Sequence, residues 1–485
     1  MVRLKDLSYQ YKDNTAPTIE NISFFIRKGE VVVLAGQSGC GKSTIFRCIN
    51  GLCPRFFEGE KKGGIYLNGK ESTPLRICDI SRLVASVFQN PESQFFTTDV
   101  LSDLVYACEN YGVPKGEIET RLNRIVSMLS LSPLIGKKLS ELSGGEKQKV
   151  AIASTLMLNA DVLLLDEPSS NLDYQSIALL KAILAELKSK GYTIIVIEHR
   201  LYYLADVCDR LIVFERGKIS RIYEGVILKA VSNEELHLQG LRGLHPFQNT
   251  VCDLAPKRGS GPLFILDNLI FGYEKFTNIL KGVSFSVYPG DKIALIGRNG
   301  CGKTTLLSIL AGARKGKKGS ILVDGKPFFK DHPVAYVPQE NPLVEELSVR
   351  DNLLLWYKGD RKKMEKDLAD GPAAILGISQ MLKKTAGQLS GGMKKRLSIA
   401  CSLALGSRYL IMDEPGAALD LECKEMIRRY LKDYVREGGA VLLTSHEMEE
   451  LAVCSKLYVL SQSNLKEVPL GLTAEELIKT FRNQQ

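Results

Sequence analysis

The chain has 485 residues, of which 45% are hydrophobic and 25% are charged. This composition is ordinary for a globular protein and too apolar for a disordered chain, and the length predicts two or three domains. The net charge is +9, from 64 basic and 55 acidic residues. Because the two signs are interspersed, the charge indicates a solvated surface, and we expect no nucleic-acid partner.

The cysteines and the apolar segments exclude several other classes. Eleven cysteines are present without a C-x-x-C pair, which argues against a zinc ribbon or a thioredoxin-type site and favours reduced thiols in the cytosol. The N-terminal segment MVRLKDLSYQYKDN carries charges throughout and lacks the pattern of a signal peptide. The apolar runs are only as long as strands, so we expect no membrane-spanning segment.

The first predicted strand is the β-branched run at residues 31–35, which indicates a buried position in a parallel sheet. It leads into the glycine-rich segment GQSGCGKST, and a helix is predicted from Lys42. Glycines allow such a loop to point backbone N–H groups at phosphate oxygens, and the helix N-terminus attracts the same anion. Lys42 would contact the β- and γ-phosphates and Ser43 would bind Mg²⁺. The segment therefore predicts a site for ATP and Mg²⁺.

Further buried strands are predicted at residues 162–165 and 193–197, with a helix at residues 176–190 between them. This alternation predicts a largely parallel sheet covered by helices. The earlier of these strands ends in Asp-Glu-Pro, where Asp166 would hold Mg²⁺ through water and Glu167 would polarise the attacking water. Upstream, LSGGE leads into a predicted helix whose N-terminus would face an anion, with Ser143 as its capping residue.

Six short signals occur twice along the chain, in the same order. The pairs are GQSGCGKST and GRNGCGKTT, VFQ and VPQ, LSGGE and LSGGM, LLLDEP and LIMDEP, NLD and ALD, and the histidines His199 and His446. Spacings repeat as well, because Glu167 precedes His199 by as many residues as Glu414 precedes His446. The first half is longer only around CPRFFEGEKKGG. Such a long period indicates a duplicated domain rather than a solenoid.

The boundary between the halves is predicted within HPFQNTVCDLAPKRGSGP, which is rich in Pro, Gly and polar residues and has no apolar periodicity. We predict a first domain at residues 1–245, a linker at residues 246–262 and a second domain at residues 263–485, each of the α/β class. A short linker raises the effective concentration of one half for the other. The two halves are therefore expected to pair within one chain.

The phosphate loop, glutamine, LSGG, DEP, NLD and histidine, in this order, resemble the nucleotide-binding domains of ATP-binding-cassette (ABC) proteins. The resemblance covers nearly the whole chain, twice. It implies two tandem phosphate-loop NTPase domains, each with a mostly parallel core sheet and flanking helices, an antiparallel β subdomain and a helical subdomain. It also implies that the cassettes pair head to tail and close on two ATP molecules, so that Lys42 faces Ser390 and Lys303 faces Ser143.

The resemblance implies one nucleotide-binding set in each half, with an adenine-stacking tyrosine, the phosphate loop and the LSGG serine and glycines. The first set is Tyr11, Gly36, Gln37, Ser38, Gly39, Cys40, Gly41, Lys42, Ser43, Thr44, Ser143, Gly144 and Gly145. The second set is Tyr273, Gly297, Arg298, Asn299, Gly300, Cys301, Gly302, Lys303, Thr304, Thr305, Ser390, Gly391 and Gly392. Asp173 and Asp420 would link the two sites across the interface.

A catalytic set is implied in each half as well: a glutamine that senses the γ-phosphate, the DEP glutamate and a histidine that contacts the γ-phosphate. These residues are Gln89, Glu167 and His199 in the first half and Gln339, Glu414 and His446 in the second. The Mg²⁺ ligands would be Ser43, Gln89, Asp166, Thr304, Gln339 and Asp413. Because both halves keep these residues, we predict two sites that hydrolyse ATP.

The first half also resembles the ATPases of energy-coupling-factor (ECF) importers, which take up vitamins and trace nutrients. The resemblance rests on INGLCPRFFEGE, on the double glutamine Gln89 and Gln94 in QNPESQ, and on IEHRLYYL. It implies a peripheral protein at the cytoplasmic face of the membrane, docked on an integral membrane coupling (T) subunit beside a substrate-capture (S) subunit. The second half lacks the second glutamine, which suggests asymmetric docking. After Gln89 and Gln339, at residues 90–112 and 340–356, we expect a groove for a partner helix, with Phe95 and Phe96 exposed.

Two alternative functions stay open. Cytosolic tandem cassettes that act on ribosomes in translation also lack a membrane span, but they carry a long, charged helical linker that is missing here. The tandem ATPases of sugar importers share the membrane role but usually have one degenerate cassette. Intact glutamates in both halves disfavour a module that only binds nucleotide.

Overall fold

The computed structural model describes residues 1–243 and 261–470, together with residue 476, apart from residues 38, 171, 274–277, 329–333, 341, 358, 390, 405, 417, 418, 420 and 446. The chain divides into two compact units, Met1–His245 and Pro246–Gln485. The predicted linker, residues 246–262, lies outside the described residues as far as residue 260.

The described part of the first unit alternates strands and helices along the chain. Its strands are β1 (Val2–Tyr11), β2 (Ile19–Ile26), β3 (Val31–Gly36), β4 (Gly59–Leu67), β5 (Lys70–Glu71), β6 (Val84–Val87), β7 (Val162–Asp166), β8 (Thr193–Ile197), β9 (Arg210–Glu215) and β10 (Lys218–Glu224). Its helices are α1 (Lys42–Ile49), α2 (Leu52–Arg55), α3 (Ile77–Ser81), α4 (Val100–Asn110), α5 (Lys115–Met128), α6 (Gly144–Leu156), α7 (Tyr174–Ser189), α8 (Gly225–Ala230) and α9 (Asn233–Leu238).

The core sheet of this unit has the strand order β10-β9-β3-β8-β7-β6. It is parallel from β9 to β6, and only β10 pairs antiparallel. Strands β3 and β8 are buried along their full length, as expected for β-branched runs covered on both faces. The carboxyl ends of β3, β7 and β8 meet at one edge of the sheet, which is where loops of an α/β fold form a site.

A second sheet of the first unit has the order β2-β1-β4-β5 and is antiparallel. Apolar residues of α4, α5 and α6 join one face of the core sheet in a single hydrophobic cluster that includes Leu104, Ile125 and Ile152. The antiparallel sheet shares a second cluster with α1 and the other face of the core sheet.

The second unit repeats this plan. Its strands are β11 (Phe264–Phe271), β12 (Leu280–Val287), β13 (Lys292–Ile296), β14 (Lys318–Val323), β15 (Lys326–Pro327), β16 (Ala335–Val337), β17 (Tyr409–Met412), β18 (Ala440–Thr444), β19 (Lys456–Ser461) and β20 (Asn464–Val468). Its helices are α10 (Lys303–Leu310), α11 (Val349–Trp356), α12 (Arg361–Asp370), α13 (Pro372–Ile375), α14 (Gly391–Leu403), α15 (Leu421–Arg436) and α16 (Met448–Leu451).

The two sheets of the second unit have the orders β16-β17-β18-β13-β19-β20 and β12-β11-β14-β15. Each strand has its counterpart at the same place in the first unit, so the fold is duplicated along with the motifs. The predicted class, an α/β core sheet with an antiparallel sheet and a helical part in each half, is confirmed. Among the described helices, none is both long and apolar enough to cross a bilayer.

Candidate functional site

The first phosphate loop connects β3 to α1. Gly36 must be glycine, because a Cβ there would lie 2.4 Å from the carbonyl oxygen of Phe214. Gly41 precedes α1 with a φ of 102°, a left-handed conformation that favours glycine. Lys42 is buried, and its Nζ donates to the carbonyl oxygens of Gly36 and Gln37, each at 2.8 Å. The ammonium group is therefore held inside the ring of backbone that would surround the phosphates.

The second phosphate loop has the same geometry. Lys303 is buried, and its Nζ donates to the carbonyl oxygens of Gly297 at 2.8 Å and Arg298 at 3.1 Å. Gly302 precedes α10 with a φ of 105°. Ser38 of the first loop lies outside the described residues, whereas the whole stretch 297–305 of the second loop is described.

The two aspartates proposed as metal ligands end β7 and follow β17, at the carboxyl edge of each core sheet. Asp166 Oδ1 and Asp413 Oδ2 are buried and have no hydrogen-bond partner within the described residues. The other oxygen of Asp413 accepts a hydrogen bond from Thr444 Oγ1 at 2.6 Å. A buried carboxylate oxygen without a hydrogen-bond partner destabilises the folded state unless a cation or a water molecule binds to it. These positions fit a Mg²⁺ ion, which binds oxygen ligands and supplies charge neutralisation to the phosphates.

The remaining candidate ligands lie in other segments of each unit and differ in exposure. Ser43 is half-buried at the start of α1, while Thr304, Gln89 and Gln339 are exposed. Hydroxyl and amide oxygens of this kind complete an oxygen donor set for Mg²⁺. Their role as ligands stays a prediction.

Glu167 lies at the centre of a hydrogen-bonded trio in the first unit. Its Oε2 accepts from Gln89 Nε2 at 2.9 Å, and its Oε1 lies 2.9 Å from His199 Nε2. The backbone of Glu167 has a φ of 44°, which is uncommon for a residue with a side chain. The fold therefore brings together the three catalytic candidates of the first half, which are far apart in sequence.

The second unit reproduces the arrangement as far as it is described. Gln339 Nε2 donates to Glu414 Oε2 at 3.2 Å, and Glu414 has a φ of 45°. The backbone N–H of Glu414 donates to Thr444 Oγ1 at 2.9 Å, whereas that of Glu167 donates to the carbonyl oxygen of Ile197 at 2.9 Å. His446 lies outside the described residues.

The pKa values of the two adjacent acids of the first unit, Asp166 and Glu167, are shifted in opposite directions. Burial, with a smaller contribution from the charge of Glu167, raises the pKa of Asp166 to about 6. Burial also acts to raise the pKa of Glu167, but the hydrogen bond and charge of His199 outweigh it and lower that pKa below its ordinary value. Glu167 is thus an ionised carboxylate that can accept a hydrogen bond from an attacking water.

The LSGG segment of the first unit forms the N-terminus of α6. Ser143 caps this helix, as the sequence predicts, and Gly144 is its first residue. A Cβ on Gly145 would lie 2.3 Å from the side-chain oxygen of Ser176, so glycine allows α6 and α7 to approach closely. In the second unit Gly391 and Gly392 begin α14, while Ser390 lies outside the described residues.

The two tyrosines predicted to stack on adenine are placed alike. The hydroxyl of Tyr11 lies 3.2 Å from Thr44 Oγ1, and that of Tyr273 lies 3.1 Å from Thr305 Oγ1. Each therefore stands beside its own phosphate loop. Both have a neighbouring cation that sequence reasoning missed: Arg47 donates to the Tyr11 hydroxyl at 3.0 Å, and the Arg314 guanidinium lies 5.0 Å from the ring centroid of Tyr273.

Sequence reasoning also missed the residues that flank His199. Glu198 is buried and accepts hydrogen bonds from the backbone N–H groups of His199, at 2.7 Å, and Ser169, at 3.3 Å. Arg200 Nη1 donates to the carbonyl oxygen of Ser169 at 3.0 Å. These contacts join the histidine to the loop that ends at Asp173, whose own side chain caps α7 through the N–H of Ser176 at 2.9 Å. The sequence feature that could have indicated this network is the charged residue on each side of His199.

A groove lies beside the glutamine of the first unit, between β6, α4 and α6. Its volume is about 360 Å³, and its aromatic lining is Phe88, Phe96, Tyr106 and Tyr111. Phe96 is 72% exposed, as expected, and stacks on Tyr106 with ring centroids 5.0 Å apart. The expected exposure of Phe95 was wrong, because that ring is partly buried against the hydrophobic core.

The sequence matches the ABC transporter family over residues 19–170 and 280–417. A Treponema denticola protein provisionally named ABC transporter ATP-binding protein is 50% identical over 477 residues, 96% of either chain. A Bacillus subtilis protein provisionally named HMP/thiamine import ATP-binding protein YkoD is 32% identical over 491 residues, covering 93% of this chain and 87% of that protein. A solved structure of RNase-L Inhibitor covers 99% of this chain and 93% of its own, with a TM-score of 0.68; at 22% identity it shows the fold alone.

These matches agree with the geometry. Both matched ranges contain a phosphate loop with a buried lysine and a strand end with an Asp-Glu pair, and the similarity to the Treponema denticola protein extends over 96% of the chain. The chain belongs to the ABC transporter family and is an ATPase with two tandem ATP-binding cassettes.

Proposed function

We propose that the chain is the ATP-hydrolysing subunit of an ECF-type importer of a vitamin or trace nutrient. In this proposal the two cassettes pair head to tail, close on two ATP molecules and open after hydrolysis. Their motion drives an integral membrane T subunit, while a membrane S subunit captures the substrate. The chain itself is a peripheral protein at the cytoplasmic face of the membrane.

The observation that carries the proposal is the aromatic groove of the first unit. An exposed apolar groove of this size suits one face of an amphipathic helix. The groove is held in shape, because the N–H of Phe96 donates to Asp103 Oδ1 at 3.0 Å and Asp103 is itself buried. We propose that it receives a helix that an integral membrane subunit presents on its cytoplasmic side.

The second glutamine of QNPESQ gives this groove a direct connection to the ATP site. Gln94 lines the groove, and its Oε1 accepts from the backbone N–H of Phe88 at 3.0 Å, one residue before Gln89. Its Nε2 donates to the carbonyl oxygen of Ala151 in α6 at 3.5 Å. A helix bound in the groove would therefore contact the segment of the glutamine that bonds to Glu167, and also α6, the helix that Ser143 caps.

The named relatives support the transport reading. One relative bears the name of an HMP/thiamine import ATP-binding protein, and thiamine is a vitamin. The structural similarity to RNase-L Inhibitor does not favour a role on ribosomes, because at 22% identity it extends to the fold only. The cassettes also keep an Asp-Glu pair each, which suits an ATPase in which both halves contribute to the cycle.

The proposal is tested by recovering the full-length chain from solubilised membranes of its own organism. We expect a protein with several membrane spans to copurify, together with a small membrane protein, and both to be identified by mass spectrometry. Phe96→Asp should reduce that recovery by more than tenfold while the ATPase rate of the isolated chain persists. Phe56→Asp is the matched control, because Phe56 is 74% exposed in the same unit but does not line the groove.

Two outcomes would contradict the proposal. Cosedimentation with ribosomes in place of membrane proteins would favour the role in translation. Equal losses with Phe96→Asp and Phe56→Asp would mean that the groove is not the docking surface.

A further inference from the structure

The serine of the first LSGG segment is engaged by its own helix. The Ser143 hydroxyl lies 2.8 Å from Glu146 Oε2, and the Ser143 backbone N–H donates to the same oxygen at 2.8 Å. Lys137 Nζ lies 3.7 Å from the other oxygen of Glu146. Burial acts to raise the pKa of Glu146, but the bonds from Ser143 and the charge of Lys137 outweigh it and lower that pKa. Glu146 is therefore an ionised acceptor at neutral pH.

A serine hydroxyl has one proton to donate. A γ-phosphate oxygen in the partner cassette is an acceptor, so Ser143 can contact it as a donor only after its proton leaves Glu146. The hydrogen bond to Oε2 is broken, the hydrogen bond to the phosphate is formed, and no proton is transferred. The Glu146 carboxylate then remains close to a second anion, and like charges at short range repel.

In the second LSGG segment the matching position carries no carboxylate. Its sequence is LSGGM, so Met393 stands at the position that matches Glu146. A thioether is at most a weak acceptor and carries no charge. The two ATP sites of a head-to-tail pair would therefore be completed by LSGG segments that differ in charge at this position.

We propose that Glu146 competes with ATP for the Ser143 hydroxyl, so that the site around Lys303, which Ser143 completes, binds ATP more weakly than the site around Lys42. This inference rests on the head-to-tail pairing of the proposed function. It assigns Glu146 as a positioning residue that makes the two ATP sites unequal. Ordered filling follows: the Lys42 site takes ATP first, and the Lys303 site closes second.

The test uses full-length chains in which one site is disabled. Lys42→Ala leaves the Lys303 site, Lys303→Ala leaves the Lys42 site, and Glu167→Gln with Glu414→Gln prevents turnover. The Kd for Mg-ATP is measured by filter binding. Glu146→Met, which copies the other LSGG segment, should tighten the Lys303 site by about tenfold and leave the Lys42 site unchanged. The reciprocal Met393→Glu should weaken the Lys42 site alone.

Glu146→Gln separates charge from hydrogen bonding, because the amide oxygen keeps both acceptor contacts with Ser143 and loses the negative charge. It should tighten the Lys303 site, but by less than Glu146→Met does. Thermal unfolding of each variant with and without ATP shows whether the fold is intact and gives a second measure of binding.

Three results would contradict the inference, and they differ in whether the head-to-tail pairing is contradicted as well. Weaker ATP binding at the Lys303 site in Glu146→Met would mean that Glu146 aligns Ser143 instead of competing for it. No change at either site would reject the competition but not the pairing. A change at the Lys42 site alone would show that Ser143 acts within its own cassette, which would also remove the head-to-tail part of the proposed function.

Discussion

The two cassettes have the same strand order but carry opposite charges at the position after the histidine. In the first, the position after the histidine is Arg200, whose Nη1 donates to the carbonyl oxygens of Ser169 at 3.0 Å and Leu172 at 3.3 Å. In the second, the matching position is Glu447, which is buried and accepts from Lys424 Nζ of α15 at 2.6 Å. The position after the histidine therefore carries a cation in the first cassette and an anion in the second, and the cation that pairs with this anion lies on α15.

The small residue after Asp-Glu-Pro differs between the cassettes as well. Ser169 is fully buried in the first cassette, and its counterpart in the second is Gly416. A Cβ on Gly416 would lie 2.1 Å from Glu450 Oε1, so glycine leaves room for that carboxylate. In both cassettes the residue after the histidine is a buried charged group with hydrogen-bond partners, although the sign of its charge differs.

The largest expected effect tests whether the comparison extends to catalysis. Glu167→Gln together with Glu414→Gln should lower the ATPase rate by more than 100-fold, because neither amide can accept a proton from the attacking water. ATP should remain bound, which retention of labelled nucleotide after gel filtration would measure. Each single variant then reports on one cassette.

The two single variants show whether the two sites hydrolyse ATP at similar rates. Similar losses in Glu167→Gln and Glu414→Gln would mean that both sites hydrolyse ATP at comparable rates. An unchanged rate in the double variant would reject the assigned role of these glutamates altogether.

The next effect concerns stability and tests the buried ion pair between Lys424 and Glu447, which has no counterpart at the matching positions Ile177 and Arg200 of the first cassette. Lys424→Ala removes the ammonium group from Glu447 and leaves it near Glu450, a carboxyl group whose pKa burial raises. Removing one partner of a buried pair typically costs about 3–5 kcal/mol. Urea unfolding followed by circular dichroism should show the loss in the transition of the second unit.

The matched change in the first cassette is Tyr203→Phe. It removes one hydrogen bond, from the Tyr203 hydroxyl to Glu198 Oε2 at 2.8 Å, while Glu198 keeps its backbone donors. We expect a smaller loss, about 1.5–3 kcal/mol, as for other hydrogen bonds to a charged group. A larger loss here than in Lys424→Ala would mean that the first network, not the second, is the more sensitive to change.

Much of the fold was readable from the sequence. The strands predicted at residues 31–35, 162–165 and 193–197 were confirmed within one residue, because a buried parallel strand is a continuous apolar run. The helix predicted from Lys42 was confirmed. The glycine-rich loop before it indicates where the helix N-terminus presents its free backbone N–H groups. Both features depend on local sequence.

The charged networks could not be predicted from the sequence, because burial of a charge depends on tertiary neighbours. Glu198 and Arg200 look like surface residues next to His199, and only the fold places Ser169 and Leu172 against them. Lys424 lies on a helix with many charged residues, and nothing local marks it as the buried one. The predicted exposure of Phe95 was wrong for the same reason. Two adjacent phenylalanines cannot be distinguished in the sequence, and only the fold shows that Phe95 packs against the core.

The smallest expected effect concerns the cysteine of each phosphate loop. Cys40 is buried and lies 3.6 Å from Lys42 Nζ, whereas Cys301 is half-buried. A thiol reagent should therefore modify Cys301 faster than Cys40, and ATP should protect both, because a group on either sulfur would obstruct the loop. Mass spectrometry of peptides over time measures both rates in one sample. Inhibition that persists in the Cys40→Ala, Cys301→Ala variant would mean that the reagent acts elsewhere, and faster loss of Cys40 would mean that the first loop opens more readily than its burial indicates.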